Sequence, residues 1–343
     1  MMRLPLSWLL AFTTAALALL LLGSLATGPM TLTLGESLRA LFAGQESGIE
    51  SHKLLIMQEI RLPRTLLCIA VGGILGLCGA VMQGLFRNPL ADPGIIGVSG
   101  GAALGAALAI VLLAPLGQQL QATIGVGLLP LLAFLGGALT TTLVYLLGTR
   151  EGGTSVTVML LAGVAITALS GAVIGLLTYL ADDQMLRNLS LWQMGTLAAG
   201  KPADVALALL TLAALLWLFM RDANPLNALL LGEGEARHLG VNVQSLKRRL
   251  ILLTAAGVGV AVAVSGMIGF VGLVVPHLVR LLAGPNHVRL LPLSALLGAA
   301  LLLAADMLAR TLLAPAELPV GIITALLGAP FFIWLLVKGR RAL

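Results

Sequence analysis

Stretches of about twenty predominantly apolar residues follow one another along this chain, each long enough to cross a bilayer's hydrocarbon core as a helix. No other feature narrows the possible folds so far. Ten segments stand out, at roughly 6–26, 62–85, 94–113, 122–147, 156–179, 202–220, 248–266, 271–283, 290–309 and 319–337; the eighth is short for a full crossing. Open sheet edges cannot face lipid, and the segments lack the apolar–polar alternation of a barrel. The expected fold is therefore an all-α polytopic membrane protein of about ten helices, one transmembrane domain over residues 1–343 with a long loop at 221–247.

Composition agrees. Only 10% of the 343 residues are charged and 59% are hydrophobic, where soluble domains carry roughly a quarter charged residues. A net charge of +6 would suggest nucleic acid in a soluble protein; here basic loops on the cytoplasmic side explain it, and no nucleic-acid partner is expected. The 41 glycines suit membrane helices whose backbones pack closely. The apolar run from Leu4 to Ala26 reads as the first span, with a cleaved signal peptide as the lesser alternative.

Loop charges orient the chain. With Arg3 inside and ten spans, the cytoplasmic face receives Arg87, Arg150, Arg221, Arg237, Lys247, Arg248, Arg249, Arg280, Arg289, Lys338, Arg340 and Arg341. The outer face receives Arg39, Lys53, Arg61, Arg64, Arg187, Lys201 and Arg310, diluted by acids that include Glu36, Glu46, Glu59, Asp182, Asp183 and Glu317. Both termini inside obeys the positive-inside rule. A weak internal repeat also shows. The run from "RLPRTLLCIAVGG" through Pro89 and Pro93 to "GGAALGAALAI" echoes the run from "KRRLILLTAAGVG" through Pro276 and Pro285 to "ALLGAALLLAA". The copies begin five spans apart and so face opposite ways, as in many transporters.

One stretch, "GTLAAGKP" from Gly195 to Pro202, spells the opening of a phosphate-binding loop. Such a loop needs Ser or Thr after the lysine to hold Mg²⁺, and a strand before it. Pro202 takes that place and no clear buried strand precedes it, so no nucleotide is expected at Lys201. Cys68 and Cys78 fall on one apolar segment, about 15 Å apart along a helix at ~1.5 Å per residue, beyond disulfide reach. Both read as small buried hydrophobes. Neither a metal-ligand cluster nor a catalytic triad or paired intramembrane carboxylates appears; no metal, cofactor or catalytic residue is expected.

Three features remain. Arg61 and Arg64 flank the outer end of a helix, against the usual bias; they either snorkel to the headgroups or form a basic patch for an acidic partner. Arg310 is placed to join them, with Asp306 one turn earlier as its i, i+4 partner. The loop "RDANPLNALLLGEGEARHLGVNVQSLKRR" is expected to form a short helix, with Leu229, Leu230, Leu239 and Val241 as apolar contacts and Glu233, Glu235 and Arg237 solvated. Being acidic and Gly-punctuated, it fits a groove in a soluble partner better than a bilayer surface. His277, in "VVPHLVRLL", has no second ligand nearby and reads as a packing residue. Asp306 is the one plausible acid within the spans, so a proton relay has little to work with. A secondary carrier and a membrane enzyme are the weaker alternatives.

The runs "RLPRTLLCIAVGGILGLCGAVMQGLFRNPLADPGIIGVSGGAALGA", "LWQMGTL", "GEARHLGV", "GMIGFVGLVVPHLVRLLAGPNH" and "AELPVGIITALLGAPFFIWLL" resemble the cobalamin, heme and ferric-siderophore permeases of bacterial ABC importers. The resemblance covers nearly the whole chain after the first helix. It implies ten helices per subunit and a homodimer with the pathway at its interface. It further implies two separate ATP-binding subunits beneath, a periplasmic substrate-binding protein above, and a place in the bacterial inner membrane. It places Arg61, Arg64 and Arg310 opposite acids on the binding protein. Gly232, Glu233, Glu235, Ala236, Arg237, His238, Leu239 and Gly240 fall in the loop that couples to the ATPase. Leu176, Tyr179, Leu191, Trp192, Met194 and Gly195 fall along the pathway and gate. The resemblance also implies that ATP is hydrolysed by a partner chain. The expected cargo is heme or another iron chelate, with cobalamin as runner-up.

Overall fold

The computed structural model describes residues 5–340 except 29, 31, 43–49, 115, 117–118, 120–126, 151–152 and 199. Residues 122–126 of the expected fourth span, and Arg3, Glu46 and Arg341, lie outside the described residues. In chain order the helices are α1 (Leu6–Ala26), α2 (Leu34–Phe42), α3 (Ser51–Leu85), α4 (Val98–Val111), α5 (Leu128–Gly148), α6 (Val156–Leu180) and α7 (Asp183–Gln193). They continue with α8 (Pro202–Arg221), α9 (Ala223–Leu231), α10 (Glu233–His238), α11 (Val243–Ser265), α12 (Val271–Ala283), α13 (His287–Thr311) and α14 (Val320–Arg340). A two-residue hairpin, β1 (Thr149–Arg150) with β2 (Gly153–Thr154), separates α5 from α6. Among the described residues seven helices are long and apolar enough to cross a membrane, and Val98–Val111, Val271–Ala283 and Val320–Leu335 are shorter apolar helices.

Local chemistry sets the helix ends. The side chains of Ser155, Asp182, Asn242 and Asn286 accept hydrogen bonds from the first turns of α6, α7, α11 and α13, satisfying amides the helix itself leaves unpaired. Helix α3 starts well before the span read from hydropathy, because its first turns, "SHKLLIMQEIR", are helical yet charged. Within it Ile56–Arg61 adopts π-helical pairing, with Leu62 N–H reaching Met57 O. The cause is Pro63: it has no N–H to offer Glu59, so the i→i−4 ladder breaks there and the turn widens. The two proline junctions of the repeat also differ. Pro93–Ile96 makes a single 3₁₀ turn, whereas the stretch after α11 accommodates the whole of α12.

Packing places α3 at the centre. In its most apolar stretch 89% of residues are buried, against 17% for α1 and for α6. Its closest partner is α13, and small residues make that contact possible. A Cβ on Gly298 would overlap the carbonyl of Gly72, and one on Gly76 the carbonyl of Ser294. Without a hydrophobic driving force between helices in lipid, such close backbone approach supplies the attraction. Gly298→Val is therefore expected to destabilise the chain by at least about 1–3 kcal/mol through overpacking. A lower thermal midpoint in detergent checks this; an unchanged one refutes it. Cys68 and Cys78 are free and fully buried, as small hydrophobes should be. Exposed Trp8, Phe12, Leu161, Val164, Leu169 and Leu210 cover the periphery. Trp217 packs beneath the Arg221 guanidinium, 4.9 Å from ring centre to carbon, an interfacial pairing at the end of α8 that leads into α9.

Candidate functional site

Two constellations occupy opposite ends of the bundle, joined through α3 and α13. The first is built around the end of α1. That helix stops at Ala26, leaving its last carbonyls without intrahelical donors, and two arginines from other helices supply them. Arg61 Nη1 donates to Leu25 O (2.7 Å) and Ala26 O (2.8 Å), and its Nη2 donates to Met30 O. Arg310 Nη1 donates to Thr27 O (3.0 Å) and its Nη2 to Ser24 Oγ (2.8 Å). Cations at a helix C-terminus also meet the negative end of its dipole. Gly28 leaves room for this: a Cβ there would stand 2.9 Å from Arg61 Nη2.

Between Arg310 and Arg64 lies Asp306, 0% exposed. Arg310 Nε approaches its Oδ2 at 3.0 Å, the i, i+4 pair expected from sequence. Arg64 turns the Nε–Nη2 edge to the same carboxylate, at 3.0 and 2.9 Å from Oδ1, and sends Nη1 to Glu317 Oε2 at 2.7 Å. Asp306 is thus the shared counter-ion of two guanidiniums. That arrangement suits a structural anchor and not a proton relay, which needs a carboxylate free to change charge. Arg61, Arg64 and Arg310 all line one cavity of about 220 Å³ with Gly28, Met30, Ile56, Ile60 and Glu317. The structure therefore brings the three sequence-predicted arginines together, but holds each largely buried and bonded within the chain. Sequence reasoning missed the Arg64–Asp306 and Arg64–Glu317 pairs, since nothing in the spacing links residues so distant along the chain.

The second constellation is the loop at 221–247, which folds into two short helices, α9 and α10, where one was expected. Gly232 joins them at φ 131°, a conformation that side chains other than glycine's rarely adopt. Ala236 is fully buried beneath the tip. Leu239, expected to make apolar contacts, is instead 64% exposed: Gly240, at φ 82°, turns the chain back at once, leaving Leu239 on the outside. Glu235, Arg237, His238 and Gly240 are exposed as well.

Glu233, expected in solvent, is pinned from below by buried Lys247, whose Nζ donates to Glu233 Oε1 (2.6 Å) and Thr154 O (3.2 Å). Gln244 Oε1 accepts from Thr154 N–H at 3.1 Å, tying the hairpin to α11. At the head of the loop Asp222 pairs with Arg249. Asn227 ties α9 to α13: its Oδ1 accepts from His287 N–H (2.8 Å) and its Nδ2 donates to Asn286 Oδ1 (3.0 Å). A cavity of about 440 Å³ opens beside the tip, lined by Gly153, Arg237 and residues 240–244.

The predicted pathway residues divide. Leu176 and Tyr179 stand on the open face of α6, Tyr179 at 87% exposed, and Leu191 is exposed on α7. Trp192 is buried and Met194 half-buried. Gly195 is buried at φ 73° against the backbone of Met267. The "GTLAAGKP" stretch follows helix α7, not a strand, and Pro202 opens α8. His277 packs edge-on against Phe331, with ring centres 6.3 Å apart. Among the described residues no group of three His, Cys, Asp or Glu is placed to hold a metal ion.

Comparison with known proteins agrees with this architecture. The profile of the FecCD transport family matches residues 16–338. The hemin transport system permease protein HmuU of Yersinia pestis is 47% identical over 336 residues, covering 97% of this chain and 96% of the relative. The cobalamin import system permease protein BtuC of Halobacterium salinarum is 43% identical over 297 residues, 87% of this chain and 77% of the relative. A solved metal-chelate type ABC transporter in an inward-facing conformation superposes with TM-score 0.82 at 34% identity, covering 97% of this chain and 99% of that one. A many-helix bundle with these likenesses is a multi-pass membrane permease of an ABC importer. The chain belongs to the FecCD transport family.

Proposed function

We propose that this permease carries heme or another iron chelate from a periplasmic binding protein to the cytoplasm, as one half of a homodimer in the bacterial inner membrane. The likeness that supports this most is the 47% identity to a hemin permease along almost the full length of both chains. A cobalamin cargo is the second reading, favoured by the 43% identity to a cobalamin permease. In this reading both termini are cytoplasmic, Arg61, Arg64 and Arg310 face the binding protein, and the tip from Gly232 to Gly240, built on α10, seats in a cleft of an ATPase subunit, one for each copy of the permease. The open face of α6, with Leu176 and Tyr179, turns to the second copy and the pathway. Leu191, Trp192, Met194 and Gly195 form its gate.

Alternating access follows from such an assembly. ATP closes the paired ATPase subunits, the tips move, and tightly packed α3 and α13 carry the motion to the far end. Liposomes containing permease, ATPase subunits and binding protein are expected to accumulate hemin when ATP is supplied, and the chain alone to hydrolyse none. ATP hydrolysis by the chain alone would sink the proposal. Uptake of cyanocobalamin with none of hemin or a ferric siderophore would move the cargo to the second reading.

A further inference from the structure

The arginine cluster is electrically unbalanced in an informative way. Among the described residues three guanidiniums share it with two carboxylates, and those carboxylates are held very differently. Asp306 is sealed off and bonded to Arg64 and Arg310 together. Glu317 is an exposed residue whose side chain keeps 35% of its surface open, and it touches the cluster through one hydrogen bond to Arg64. It sits on the non-helical stretch between α13 and α14, steadied by the neighbouring Leu318 N–H to Ala309 O bond at 3.0 Å. Its side chain can therefore swing outward without breaking a helix. Arg61, on the same cavity, meets only backbone carbonyls among the described residues.

We infer that Glu317 is an internal stand-in for a carboxylate of the docking partner, a soluble protein presenting acidic side chains, and that docking displaces Glu317 from Arg64. This deepens the docking reading above and rests on it. The physical reason is continuity of pairing. A partly buried guanidinium left bare is costly, so an exchange in which one carboxylate replaces another keeps Arg64 satisfied throughout. Arg61 has no carboxylate partner among the described residues, and its charge draws the incoming acid to the cavity mouth, while Ile56, Ile60 and Met30 wall it in. Before docking, Glu317 competes for the seat and weakens the partner's grip.

The test uses the full chain in nanodiscs with a hexaglutamate peptide as probe. Glu317→Gln is expected to bind the peptide about tenfold more tightly, as removal of a competing charge at a rim allows, and to let phenylglyoxal modify Arg64 faster. Glu317→Asp is expected to restore the parent's behaviour in part. Equal or weaker peptide binding by a folded Glu317→Gln chain overturns the inference, and so does failure of that variant to fold, which would make Glu317 a structural anchor. Arg61→Gln separates the two layers. If it leaves peptide affinity unchanged, the docking reading itself falls; if it weakens binding while Glu317→Gln changes nothing, only the displacement is lost.

Discussion

Asp306→Asn is expected to cost the chain about 3–5 kcal/mol of stability, the range for removing one partner of a buried ion pair. The substitution keeps the side chain's shape and removes only its charge. Arg64 and Arg310 would then face each other across a neutral amide, with Glu317 left to answer for both. The amide also offers Arg64 and Arg310 one carbonyl oxygen in place of two, and turns an N–H₂ toward a donor. The loss spreads beyond the pair because Arg310 also holds the end of α1 through Ser24 and Thr27, so the first helix should loosen as well. Thermal unfolding in detergent, followed by loss of the monodisperse peak, reads this directly. A variant as stable as the parent would show that the two guanidiniums find water or other partners, and that Asp306 is no anchor. If the chain were a proton-driven carrier, the same variant would fold normally and lose uptake only.

Lys247→Met is expected to leave the bundle folded and to cut ATP-driven uptake by tenfold or more, the scale of about 1.4 kcal/mol or greater in coupling. Methionine keeps most of the buried stem and removes the ammonium that bonds Glu233 and the Thr154 carbonyl. Helix α10 has only six residues, too short to hold its shape alone. Its position relative to α11 depends on this charge and on the packing of Ala236. Without Lys247 the tip should rock against the ATPase without moving α11. ATPase activity of the assembled complex would then persist while uptake falls, the mark of lost coupling. Parallel loss of both activities, with unchanged stability, would instead mean that the tip fails to seat at all. Full uptake would show that the pin is dispensable.

How much of this could be read from sequence differs by element. The apolar segments were legible because lipid admits few solutions: each run must satisfy its own backbone, and length alone then marks a helix. The 13-residue α12 keeps the 271–283 bounds read from sequence, short because a helix buried in protein need not span the full bilayer thickness. The charged start of α3 was invisible to hydropathy, though Pro63 carried the signal for its widened turn. The Asp306–Arg310 pair was legible because i, i+4 spacing on one helix fixes proximity. The partners of Arg64, by contrast, come from more than two hundred positions away.

The sequence by itself determined that this is a helical membrane protein with basic residues gathered at both ends, because solvent exclusion acts on every residue locally and leaves its record in composition and periodicity. Tertiary structure alone decided which of those charges are free. Burial and pairing depend on which helices meet, and that follows from glycine-sized contacts such as Gly72 against Gly298, whose partners no local pattern names.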